Sequence, residues 1–192
     1  MLCRAAWGAQ SAREGGQRHT ITEMTLHHTA AVLGDNSNAP ARLRQHQQYH
    51  QDGQGWIDIA YHVGVDRNGN IYELRDWNLA GDTATEYDPA GHFLVLCEGD
   101  FDQESVSEAQ LDSAARVFAW AAGKFQIGSE TLTGHGDHAA TACPGANLEA
   151  HLTSGELRRR VDGYLADGPV ELINVCGPEA DAVIADITAG RR

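Results

Sequence analysis

The stretch IDIAYHVGVDRNGNIYELRDW, Ile57 to Trp77, carries the strongest local signal in the chain. Apolar side chains recur at alternate positions (Ile57, Ile59, Tyr61, Val63, Val65), then Asn68-Gly69 intervenes before Ile71 and Tyr72. Period-two alternation gives a strand one apolar face, and Asn-Gly suits the positive φ angles of a tight turn, so the stretch predicts a β-hairpin. Working outward, EMTLHHT, Glu23 to Thr29, predicts a short strand. HFLVLCEG, His92 to Gly99, is apolar without alternation and predicts a strand buried on both faces.

Helical signals lie between and after these strands. APARLRQHQQYHQ, Ala39 to Gln51, carries Pro40 in its first turn, where a missing N–H costs least. SEAQLDSAARVFAWAAGKF starts with Ser107 and Gln110 in capping-box spacing and sets Leu111, Ala114, Ala115, Phe118, Ala121, Ala122 and Phe125 along one stripe. A final helix is predicted over Ser154 to Ala166. The tail from Asp167 to Arg192 holds a strand-like PVELINVC and a weakly amphipathic EADAVIADI, and no internal repeat is present.

A chain of 192 residues suits one domain, at most with an appendage. Its 42% apolar and 21% charged content is that of a globular protein. Acidic residues outnumber basic ones by 27 to 14, and the net charge of -13 repels phosphate backbones and anionic membranes, which argues against both as partners. No apolar run is long enough to span a bilayer, and the N-terminus MLCRAAWGAQ lacks the apolar core of a secretion signal, so synthesis in the cytoplasm is expected. Four cysteines (Cys3, Cys97, Cys143, Cys176) without a CxxC pair then argue against a disulfide framework and predict mostly reduced thiols.

Chemistry concentrates in three places. In a strand, successive side chains point to opposite faces, so of His27 and His28, and of Tyr61 and His62, one member each is structural. The loop GHGDHAATACPG, Gly134 to Gly145, holds His135 and Cys143. Imidazole and thiolate suit a catalytic zinc that keeps its fourth position open, but on these residues alone a buried thiol with a hydrogen-bonded histidine fits as well. A Cys143 thiolate activated by His135 is a third reading, which leaves His27 unexplained. His46 and His50 stand at i and i+4, but HQQYH lacks the glutamate of HExxH and reads as two solvated histidines on a helix.

HHTA at His27 to Ala30, GWIDIAYHVGVDRNGNIYELRDW at Gly55 to Trp77 and TGHGDHAATACPG at Thr133 to Gly145, with RAAWGA at Arg4 to Ala9, resemble the motif blocks of the peptidoglycan recognition protein and zinc amidase family. That family includes short phage lysozymes that are N-acetylmuramoyl-L-alanine amidases. The resemblance covers roughly residues 4 to 166 and implies an α/β fold, a central mixed sheet with helices on one face and a zinc cleft on the other. It divides the chain into a catalytic domain over 1–166 and an extension of unknown role over 167–192. The zinc ligands it implies are His27, His135 and Cys143, with His28 left structural. Tyr61 and Thr141 would orient the attacking water and stabilise the tetrahedral oxyanion. Thr29, Trp56 and His92 are candidate groove residues, and Gly55-Trp56 resembles a pair associated with meso-diaminopimelate stems.

Zinc is thus the expected cofactor, peptidoglycan or its muropeptides the expected partner, and a monomer the expected state. The implied activity is hydrolysis between N-acetylmuramic acid and L-alanine, in a phage endolysin or a bacterial amidase that acts on the wall after release or export. The alternative is a module that binds muropeptide without cutting it. Two departures stand out: Leu96 occupies the position where some relatives carry a glutamate base, so Glu98 does not inherit that role, and Gly136 replaces the usual arginine. Asp137 and His138 have no assigned role, and His138 reads as an exposed loop histidine.

Overall fold

In the computed structural model, which describes residues 1–192, a five-stranded mixed sheet organises the chain. In chain order the elements are β1 (Glu23–His28), α1 (Ala39–Gln48), β2 (Val63–Val65), β3 (Ile71–Glu73), β4 (His92–Cys97), α2 (Glu108–Phe125), β5 (Leu132–Gly134), α3 (Ala146–Thr153), α4 (Glu156–Asp167) and α5 (Pro178–Thr188). The strand order is β3-β2-β4-β1-β5, parallel throughout except for the antiparallel β2–β3 edge. β1 and β4, the two six-residue strands, lie at the centre; HFLVLC of β4 is buried throughout and nearly continuous in apolar residues, whereas EMTLHH of β1 alternates, apolar toward one face and polar toward the other.

Side-chain parity sorts the faces. Met24 and Leu26 of β1 and Phe93, Val95 and Cys97 of β4 pack in one apolar core with Leu111, Ala114, Phe118 and Ala122 of α2 and Leu157 and Val161 of α4. Burying side chains of this size stabilises by about 1.5–3 kcal/mol each. On the other face Leu96 joins Tyr72, Leu74, Leu43 of α1, and Ala180 and Ile187 of α5 in a smaller core. Helices therefore lie on both faces, and the cleft occupies the part of the second face, beside β1 and β5, that α1 and α5 leave uncovered.

The hairpin is present but shorter than its alternation predicts. Strand pairing begins only at Val63, and residues 57–62 bend instead, held by the buried Arg75, whose guanidinium donates to the carbonyls of Ile59 (2.8 Å), Asp58 (3.0 Å) and Ala80 and pairs with Asp82. The turn is longer than two residues: Asp66 Oδ1 accepts from the N–H groups of Asn68 (3.0 Å) and Asn70 (2.9 Å), and only Gly69 takes a positive φ, +82°. A Cβ there would sit 2.8 Å from the Ala109 carbonyl oxygen, so the glycine also lets α2 approach.

Ser107 caps α2 by accepting from the Gln110 N–H at 3.0 Å. The capping box is not reciprocal, because the Gln110 amide donates to the carbonyls of Val65 and Glu98 (3.0 Å each) and fastens the helix to β2 and the end of β4. α3 was not expected: eight residues with only Leu148 buried give no stripe to detect. The predicted helix over Ser154–Ala166 is α4, and α5 follows it as the last.

Cys3 and Cys176 form a disulfide, Cα to Cα 5.1 Å, which corrects the expectation of reduced thiols there; Cys97 and Cys143 are free. The partners lie 173 residues apart, a proximity no local spacing could reveal. Of the strand-like PVELINVC only Val175 pairs, in a bridge to Leu2 beside the one Leu2 makes with Tyr72. The tail thus returns to the N-terminus, and α5 packs on α1. No helix is long and apolar enough to cross a membrane.

Candidate functional site

His27 belongs to the face of β1 opposite Met24 and Leu26, and its register partner on β4 is Leu96. β5 pairs with β1 through Thr25–Thr133 and Leu26–Gly134, so His135, the next residue, emerges beside His27 with ring centroids 4.6 Å apart. A single 3-10 turn, His135–Asp137, starts there, and Asp137 Oδ2 fixes it by accepting from the Gly134 N–H at 2.8 Å. Asp137 thereby gains a structural role that the sequence left open.

The loop then brings Cys143 back to β1. The His28 N–H donates to Cys143 Sγ at 3.4 Å, and His27 Nδ1 lies 3.7 Å from the same sulfur. One donor atom from each of His27, His135 and Cys143 lies within 4.8 Å of the others. Tetrahedral zinc with ordinary Zn–N and Zn–S lengths separates nitrogen and sulfur by about 3.6 Å. The His27–Cys143 pair already has that spacing.

The electrostatics favour the same reading. Burial, reinforced by the imidazoles of His135 and His92, pushes His27 well below the usual histidine range, and burial, with His138 and His28, lowers His135 to about 4. Both rings are neutral near pH 7 and carry the lone pair a cation needs. Burial pushes the Cys143 thiol up to about 12, against the lowering effect of the His28 N–H, so a thiolate is not preformed. That is the reverse of an activated nucleophile, and it disfavours the cysteine-hydrolase reading.

Thr85 was missed by sequence reasoning. Its Oγ1 lies 2.8 Å from His135 Nε2 and 2.7 Å from Thr83 Oγ1, an arrangement that fixes the ring and leaves Nδ1 for a ligand. Nothing in the polar loop TATEYD distinguishes it from any exposed threonine.

These groups open into a cavity of about 520 Å³ that also takes in Tyr61, Trp56, Thr141 and His50. An adjoining groove of about 480 Å³ shares Trp56, Asp82, Thr83 and Thr85 with it, so the cleft is elongated, as an extended ligand requires. The Tyr61 ring lies 5.1 Å from His27, and burial, with Cys143 next, raises its phenol pKa, which keeps it a proton donor. Its neighbour His62 faces away: Nδ1 accepts from the Leu94 N–H at 2.9 Å and Nε2 lies 3.0 Å from the Leu79 carbonyl oxygen. His28 is likewise structural, Nδ1 accepting from the Phe101 N–H at 3.3 Å. Thr141 Oγ1 lies at the cleft and accepts from the Cys143 N–H at 3.2 Å.

Other candidates sit differently. Thr29 lines the cleft, but its hydroxyl both donates to and accepts from the Gly99 backbone at 3.0 Å and holds two loops together. His92 does not line it: it is 6% exposed, with Nδ1 2.8 Å from Thr25 Oγ1, at the start of β4 and four residues from Leu96. At a strand's rise that is about 13 Å. His138, expected to be exposed, is half-buried with Nε2 2.8 Å from Thr133 Oγ1.

His46 and His50 are not solvated. The face of α1 turned to the sheet buries Leu43, Gln47 and, just past the helix, His50. His50 Nδ1 accepts from the Ala60 N–H at 3.2 Å and its ring lies 4.8 Å from Trp56, while His46 Nε2 points elsewhere, 3.6 Å from Glu98 Oε2. Glu98 is 1% exposed and does not line the cleft, and Leu96 is wholly buried.

The family model described as N-acetylmuramoyl-L-alanine amidase matches residues 17–146. Peptidoglycan-recognition protein SC2 of Drosophila melanogaster is 29% identical over 151 residues, 77% of this chain and 82% of that protein. The N-acetylmuramoyl-L-alanine amidase of Sus scrofa is 32% identical over 153 residues, 76% of this chain and 25% of that protein. Among solved structures, wild-type Drosophila PGRP-LB superposes with a TM-score of 0.71 at 29% identity, covering 80% of this chain and 93% of its own. A mutant of PGRP-LB has been solved in complex with tracheal cytotoxin.

Proposed function

The chain belongs to the N-acetylmuramoyl-L-alanine amidase family, and from that premise we propose that it is a zinc-dependent peptidoglycan hydrolase that cleaves the amide between N-acetylmuramic acid and the L-alanine of the stem peptide. The observation that carries the reading is the convergence of His27, His135 and Cys143, two neutral imidazoles and a thiol, beneath Tyr61 at the floor of an elongated cleft. Relatives of this chain include proteins named for recognition and one named as an amidase, and the intact ligand set favours catalysis over binding alone.

His27, His135 and Cys143 would hold the metal, with Thr85 orienting His135. Zinc, when bound, supplies a Lewis acid that lowers the pKa of water toward ~7 and polarises a carbonyl. The protonated phenol of Tyr61 donates toward the lactyl carbonyl oxygen as it gains charge, and Thr141 presents a second hydroxyl to the same region. Water's oxygen bonds to the lactyl carbon, the C–N bond breaks, and the alanine nitrogen takes up a proton. Leu96 leaves no carboxylate across from His27, so this chain does not use a glutamate base at that position.

Gly55-Trp56 at the junction of cavity and groove supports a meso-diaminopimelate-type stem as the ligand. The Cys3–Cys176 disulfide suits a place of action outside the reducing cytosol, such as the cell wall reached after release or export. The test is metal analysis together with release of stem peptides from purified peptidoglycan. Wild type should hold zinc in the cleft and release peptide, and Cys143→Ala should lose both the cleft zinc, as one equivalent fewer than wild type, and the release. A wild-type protein whose zinc content Cys143→Ala leaves unchanged, and which binds muropeptide without cutting it, would replace this reading with recognition, and a preference for lysine-type muropeptides would overturn the stem assignment.

A further inference from the structure

A second group of metal-binding side chains lies on the same face of the sheet, below the cleft. Glu23 and His92 are register partners on β1 and β4, and His138 reaches them from the loop after β5. One donor atom from each lies within 4.8 Å of the others, and His92 Nε2 is 4.0 Å from Glu23 Oε2. Each imidazole is held by a threonine hydroxyl at 2.8 Å: His92 through Nδ1 by Thr25, which leaves Nε2 toward Glu23, and His138 through Nε2 by Thr133. Such outer hydrogen bonds are what metal-ligating histidines ordinarily make. The Tyr87 ring packs against both, centroids 5.4 Å from His92 and 5.6 Å from His138.

We propose that Glu23, His92 and His138 form a second divalent-cation site, selective for zinc, that ties the loop carrying His135 and Cys143 to the sheet. Two imidazoles and one carboxylate are a recurrent zinc ligand set, and four-coordinate N/O ligation brings donor atoms to about 3.3–3.5 Å of one another. The 4.0 Å between His92 Nε2 and Glu23 Oε2 closes to that value by movement of Glu23, whose side chain is 45% exposed. His138 sits between His135 and Cys143 in sequence, so an ion there would anchor the loop that delivers two of the three cleft ligands.

The test titrates the metal-stripped full-length chain with Zn²⁺ and, separately, Co²⁺. Wild type should bind two equivalents, His138→Gln and Glu23→Gln one each, and Cys143→Ala one. In Cys143→Ala, bound Co²⁺ should lack a thiolate charge-transfer band, and Zn²⁺ should raise the thermal midpoint; that rise should vanish in Cys143→Ala/His138→Gln. Glu23 and His138 are half-buried, so their variants avoid the folding risk of replacing the buried His92. Binding of no metal by Cys143→Ala, or unchanged stoichiometry in both His138→Gln and Glu23→Gln, would overturn the proposal. Should the cleft itself bind no zinc, wild type and Cys143→Ala would each take one equivalent and His138→Gln none, which separates failure of the cleft reading from failure of this one.

Discussion

Loading a metal onto His27, His135 and Cys143 must displace whatever protons those groups hold, and their environments fix that number. His135 is lowered to about 4 and His27 lies well below the usual range, so near pH 6 neither imidazole holds an appreciable fraction of a proton. Cys143, pushed up to about 12, holds a full one. Binding should therefore release about one proton per ion near pH 6, and the apparent affinity should rise about tenfold, about 1.4 kcal/mol, per pH unit. Two ordinary histidines of pKa about 6.5 would each add about 0.76 of a proton, for a total of about 2.5. A preformed Cys143 thiolate would release almost none. The measurement is a Co²⁺ titration from about pH 5.5 to 6.5, below the range near ~7 where metal-coordinated water ionises, followed through the thiolate charge-transfer band that reports this cluster alone. A slope near 2.5 would refute the burial argument for the imidazoles. A slope near zero would refute the neutral thiol and revive the nucleophile.

Three further outcomes follow from contacts in the structure. Thr85→Val removes the hydroxyl that orients His135 while keeping its shape, and metal affinity by chelator competition should fall about 10–100-fold; an unchanged affinity would dismiss the hydroxyl as a bystander. Tyr61→Phe should lower kcat by about 10²–10³ with zinc content unchanged, and retention of full turnover would remove Tyr61 from the chemistry. Cys3→Ser opens a covalent loop of 173 residues' separation. The chain-entropy ceiling for such a loop is about 5 kcal/mol, and a loss of about 2–5 kcal/mol is expected in urea unfolding. A loss below about 1 kcal/mol would mean that the α5 contacts alone hold the tail.

What could be read in the sequence was what depends on neighbours along the chain. Parity within β1 required that His27 and His28 face opposite ways, because side-chain direction follows from backbone geometry alone, although which of them faces the cleft came through resemblance; Tyr61 and His62 also diverge, but in a bend and not in a strand. The stripe of α2 and the apolar run of β4 were legible for the same reason. The assembly of His27 with His135 and Cys143 was not: it came through resemblance, since the pairing of β1 with β5 spans more than a hundred residues. Cys3–Cys176, Thr85–His135 and His46–Glu98 are likewise long-range contacts that leave no local trace. The hairpin misled at its start because the alternation of Ile57 and Ile59 is satisfied by a bend that Arg75 holds from beneath.

The parity of β1 also explains why both clusters occupy one surface. Met24 and Leu26 must face α2, and that obligation sends Glu23, Thr25 and His27 to the opposite face in a row. A slip of one residue would bury His27 and Glu23 under α2 and expose Met24 and Leu26, exchanging two apolar burials for two desolvated polar groups. The register of the ligands is therefore enforced by the core behind them. On the same face the tail, joined to the N-terminus at Cys3–Cys176, packs α5 on α1 in the core that holds Leu96 and Tyr72. Across the sheet from His27 lies sealed apolar packing, and on its free side lies the cleft.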